Sequence, residues 1–187
     1  MPYDQKLHRY LNRTVEHIHR VQKNMLYLIS ECAEELKLTR EQCRGAMWNV
    51  MNHDRSKFSE KQFEPYIELT AYYDVKRYNK AHKYPSEEIE KQVDEAVQDH
   101  YMQENHHPEK YKGLFCCFTH IECLEIICDL QAMAQEFNEG SCREFFMEKW
   151  KPKHGKYFQP DDAWYWSSLP LMEKAIECFE RQAKDNQ

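Results

Sequence analysis

Between Leu7 and Cys32 the residues Leu7, Leu11, Thr14, Ile18, Val21, Met25, Leu28 and Cys32 recur at steps of three and four. That spacing draws one stripe along an α-helix and would scatter the same side chains over both faces of a strand. The chain therefore opens with a long amphipathic helix, from Asp4 to about Leu36, whose stripe has to be covered by other elements. With only 4 Gly and 7 Pro in 187 residues, helices joined by short loops are favoured over sheets full of turns.

Capping patterns place the other helices. Thr39 and Gln42 form a capping box ahead of Cys43, Ala46 and Val50, a helix that reaches His53-Asp54 at its end. Ser59 and Gln62 repeat the pattern and open an aromatic-rich helix through Phe63, Tyr66, Ile67, Tyr72 and Tyr73, with Pro65 placed to bend it. After the break at Tyr84-Pro85, Ser86 caps a helix that runs to about Glu104, and Pro108 and Gly113 mark the loop beyond. Thr119 and Glu122 open an apolar helix through Phe137, closed by Asn138-Glu139-Gly140 as a glycine C-cap. Helices from Cys142 to Trp150 and Leu169 to Lys184 end the chain, with a loop from Lys151 to Asp162 between them. The expectation is all-α: a single domain, 1–187, built as a bundle of five to seven helices.

Several functional classes are disfavoured. A formal charge of -6 argues against a binder of nucleic-acid duplex, which needs a positive face to displace counterions, and leaves a small anionic substrate open. The apolar stretch from Leu114 to Cys128 is interrupted by Thr119, His120, Glu122 and Glu125, so it is no membrane span. The polar start, Met1 to Lys6, lacks the apolar core of a signal peptide, and a cytoplasmic protein is expected. The 8 cysteines include no Cys-x-x-Cys pair. They read as reduced, core-filling thiols and not as a thiolate zinc site.

The chemistry-bearing residues stand out by position. His53 continues the face of Ala46 and Val50, and His100 follows Ile89, Val93 and Ala96, so both point inward. His17 lies at the edge of the first stripe, four residues before Val21, whereas His19 falls on the far side and is expected in solvent. Glu122, Glu125, Asp129 and Glu136 share one narrow arc of the helix through Phe137. Taken alone, that arc reads as the solvated side of a core helix.

The order of these groups carries more than any one of them. His53-Asp54-Arg55-Ser56-Lys57 resembles the His-Asp-x-Gly-Lys form of the motif of the HD superfamily of metal-dependent phosphohydrolases, with Ser56 in place of glycine. The resemblance extends to His17-Ile18, to Asp99-His100-Tyr101 with Asn105-His106-His107-Pro108-Glu109, and to Glu122 through Leu130. It spans about His17 to Gly140 and looks like an HD-like family of microbes and viruses whose function is unknown.

That resemblance implies that His17, His53, Asp54 and Asp129 hold a first ion. Asp54 would bridge to a second one held by His100 and either His106 or His107. Imidazole and carboxylate donors suit manganese, iron, cobalt, nickel or zinc. Lys57 contacts an anionic, phosphorylated substrate or is a plain surface lysine. Glu125 orients a ligand histidine or acts as a general base, and Glu122 is assigned to its cap.

The function implied is hydrolysis of a nucleotide or small phosphoester. Two alternatives stand beside it: a mixed-valent di-iron oxygenase, since some HD-type proteins use the same ligand order, and a non-catalytic interaction protein. The last would present Trp48, Trp164, Tyr165 and Trp166 as an aromatic patch. Core packing of Trp48 and lid packing of the other three is the reading preferred here.

Overall fold

The structure, a computed structural model, describes residues 1–111, 119–137, 140–154 and 163–185, with the side chains of 163–166 excepted. Among the described residues seven helices appear in chain order: α1 (Tyr3–Cys32), α2 (Arg40–Met51), α3 (Phe63–Lys76), α4 (Glu87–Gln103), α5 (His120–Phe137), α6 (142–154) and α7 (Ala163–Asp185). Within α6 the α-helical turns Cys142–Glu144 and Lys151–His154 flank a π-helical turn, Phe145–Trp150. Short 3-10 turns form at Arg55–Phe58 and Pro108–Tyr111. No strand occurs among the described residues, so the fold is all-α as expected. No described helix is long and apolar enough to cross a membrane.

Several boundaries differ from the expectation, each for a local reason. α1 stops at Cys32, where Leu38 N–H closes back on the Ala33 carbonyl and Lys37 takes φ 54°. The box expected at Ser59 and Gln62 does not form: the Gln62 amide group donates to Asp99 at 2.8 Å, and Gln62 makes no side-chain cap. Pro65 sits in the first turn of α3, where a missing N–H costs nothing and no bend is needed. Lys151 to His154, expected in a loop, is helical. Trp48 is 73% exposed, not packed in a core.

Gly140 adopts φ 72°, the left-handed conformation a glycine takes without strain. Gly113, Asn138, Glu139, the loop residues after His154 and the side chains of Trp164, Tyr165 and Trp166 lie outside the described residues.

The chain forms two compact units, Met1–Glu16 with Asp54–Glu104, and His17–His53 with Asn105–Gln187. In the first, Tyr10, Tyr66, Ile67 and Ala96 form the buried core, with Leu7, Leu11 and Phe63 packed on it. Tyr10 O–H donates to the Lys57 carbonyl at 2.7 Å and so anchors the 3-10 turn after Asp54.

In the second unit α5 packs against α2, α6 and α7. Glu122 through Cys128 are buried without interruption, so α5 is the central helix of that unit. Its acidic arc is therefore not the solvated side of a helix, and the carboxylates on it require partners. The second half of α1 answers with an unusual inner face, on which His17 and Asn24 are buried along with Val21, Met25, Leu28 and Cys32.

Candidate metal centre

In the second unit three elements bring their polar groups to one place. His17 comes from the middle of α1. His53 follows α2, whose end is closed by Asn52 and by His53 N–H on the Val50 carbonyl at 3.4 Å. Asp129 projects from α5. Each of these three residues places a donor atom within 4.8 Å of the others. His17 Nε2 lies 3.0 Å from Asp129 Oδ1, and the His17 and His53 rings are 5.6 Å apart. Both histidines are buried, His53 almost completely.

Glu125 stands one turn before Asp129 and closes the back of the site. His53 Nδ1–H donates to its Oε1 at 2.9 Å, His106 Nδ1 faces the same oxygen at 3.3 Å, and Asn49 Nδ2–H donates to Oε2 at 3.3 Å. The His106 ring lies 4.3 Å from that of His53 and 4.3 Å from that of His107, tilted against each. Burial pushes the Glu125 carboxyl up, and the imidazoles of His106 and His53 more than reverse this, holding it at about 2. Burial acts on Asp129 in the same sense, and His17 overcomes it, keeping that carboxyl below the usual carboxylate range.

The donor set suits a borderline divalent ion. With Nδ1 of His53 engaged by Glu125, Nε2 is the nitrogen that offers its lone pair, the arrangement in which a carboxylate behind a histidine fixes its tautomer. Burial pushes the neighbouring Cys128 thiol well up, which disfavours it as a thiolate ligand. Two imidazole nitrogens and one carboxylate oxygen leave further positions to be filled, as in an open catalytic site.

Residues 6–167 match the model of DUF5662, a family of unknown function. The chain belongs to this family. No curated protein and no solved structure matches it. The matched span of the DUF5662 chain includes every candidate ligand, from His17 to Asp129.

The chain passes from the second unit to the first between His53 and Asp54. In the first unit Asp54 is buried and takes φ 57° at the start of the 3-10 turn. Its Oδ2 receives Lys57 Nζ at 2.5 Å, and its Oδ1 lies 3.2 Å from His100 Nε2. Ser56 Oγ is 2.9 Å from His100 Nδ1, and Ser56 N–H donates to Glu104 at 3.0 Å. Ser56 thus holds His100, a job no glycine could do.

Lys57 is spoken for as well: it pairs with Asp54 and lies 5.4 Å over the Tyr66 ring. Thr119 backbone and hydroxyl both bond Glu122, which keeps Glu122 at its cap. His19 is exposed, as expected.

One participant escaped the sequence: Asn49, which sits four residues before His53, a spacing that would have suggested it.

Proposed function

We propose that this DUF5662 protein is a metal-dependent hydrolase of a nucleotide or another small phosphoester, with His17, His53 and Asp129 holding a divalent transition metal. The observation that carries the reading is the meeting of those three donors within 4.8 Å, backed by Glu125 on the far nitrogen of His53. Once bound, such an ion supplies Lewis acidity and makes water a nucleophile near neutral pH.

The chain's own residues have separable roles. Glu125 serves as the orienting acceptor for His53, since His106 and Asn49 already occupy its oxygens. Asp54 and His100, 3.2 Å apart in the first unit, are the pair that the resemblance to the HD superfamily assigns to a second ion. Lys57, one turn from Asp54, is the residue placed to contact an anionic substrate group. Its pairing with Asp54 means that a phosphate has to compete for the ammonium.

A panel of nucleotides and small phosphoesters, assayed with manganese-loaded protein in the absence of oxygen, tests the reaction class. Turnover of a phosphoester is expected, and Lys57→Ala should slow it while metal stays bound. Turnover seen solely with iron and oxygen would replace this reading with an oxygenase.

A further inference from the structure

Glu136 is the member of the α5 acidic arc to which nothing above assigns a role. It follows Asp129 by seven residues, about two turns, and so falls close to the same arc. Its Oε2 lies 3.8 Å from His17 Nδ1, while the opposite nitrogen of that ring, Nε2, lies 3.0 Å from Asp129 Oδ1. The Glu136 side chain keeps only 14% of its exposure.

His53 repeats the pattern, with Nδ1 on Glu125. One helix therefore stands a glutamate behind each of the two histidines, at Nδ1 in both, and a third carboxylate, Asp129, on their ligand side.

We propose that Glu136 is a positioning residue for His17, the counterpart of Glu125 for His53. The proposal rests on reading His17, His53 and Asp129 as metal ligands. At 3.8 Å the contact is an ion-pair distance and too long for a hydrogen bond. Engaging the Nε2 lone pair requires the ring proton to sit on Nδ1, where it faces Glu136 and becomes a better donor. Glu136 thus favours the one tautomer of His17 that can act as a ligand, and its contact with the ring strengthens when the ligand nitrogen is used.

A purely structural ion pair, holding α1 on α5 through a charged His17, is the competing account, and the two give opposite results. The structural account predicts that Glu136→Gln lowers the Tm of the metal-free protein and leaves metal affinity unchanged, whereas the positioning account predicts a loss of metal affinity. Cobalt(II) binding to the full chain, followed by visible absorption and by competition with a chelator, reads the other side.

Glu136→Gln should weaken cobalt affinity by about 10-fold or more, the usual effect of losing a carboxylate behind a ligand histidine. Glu136→Asp, which keeps the charge, should recover part of that loss, and His17→Ala should abolish the site. Wild-type cobalt affinity in Glu136→Gln, or a lowered metal-free Tm with affinity unchanged, overturns the proposal. Failure of the wild type to bind cobalt, or binding that His17→Ala leaves intact, overturns the metal reading itself.

Discussion

At the scale of single residues, the second unit concentrates charge where an apolar core would be expected, and Glu125 is its hinge. Three side chains, those of His53, His106 and Asn49, converge on one carboxylate that is 3% exposed. Glu125→Ala strands those donors, and should cost the metal-free protein about 1–3 kcal/mol in urea denaturation.

The sign of the pH effect follows from its depressed carboxyl. The ordinary value is 4.5 and the folded value about 2, so the stabilisation is fully present above the ordinary value and is lost as pH falls through the interval between them. Asp129, shifted in the same direction, adds to the loss. The urea midpoint of the wild type should drop through that window, and that of Glu125→Gln should drop less. Parallel curves would remove Glu125 from the account.

Much of this was visible in the sequence: the inward registers of His53 and His100 follow from helical spacing alone. The burial of Glu125 was not, because a carboxylate's surroundings depend on α2, α6 and α7 closing over α5, contacts that no local pattern encodes. Likewise the role of Ser56 depends on His100, 44 residues on, which no local pattern places against it.

At the scale of elements, helix starts were readable where a cap is satisfied by its own neighbours. Thr39 and Gln42 form the full box, and Ser86 accepts from Ile89 N–H. The start of α3 was misread because Asp99, on a different helix, takes the Gln62 side chain. Periodicity gave no sign of the π-helical turn in α6, whose one extra residue per turn leaves the spacing of its apolar residues close to helical.

Lys37 pays for the left-handed end of α1 with a conformation that suits glycine, so Lys37→Gly should raise stability by up to about 1 kcal/mol. A fall in thermal midpoint would show that the Lys37 side chain contributes more than its backbone costs.

Asn24 joins α1 to α5 by donating to the Cys128 carbonyl at 3.1 Å and exchanging hydrogen bonds with Gln135. Asn24→Ala should destabilise the chain by about 1–3 kcal/mol, measured by denaturant titration. An unchanged midpoint would mean that the amide pair does not set the register of the two helices.

At the scale of the whole molecule, the all-α class followed from composition and stripe, and each unit has its own buried core. The division into two units was not readable from the sequence, because α1 contributes to both without any break in its pattern. A cation bound by His17, His53 and Asp129 would tie the second half of α1, the end of α2 and the middle of α5 together. Ligand binding to the folded state alone raises stability by about 2.7 kcal/mol at a hundredfold excess over Kd.

Whether these three side chains hold a metal is decided by elemental analysis of protein purified without added metal, comparing the wild type with His53→Ala and Asp129→Asn. Stoichiometric transition metal in the wild type, lost in both variants, is the predicted result. Variants that retain the wild-type metal content, or a wild type that stays metal-free even after incubation with manganese, iron, cobalt, nickel and zinc, would contradict it.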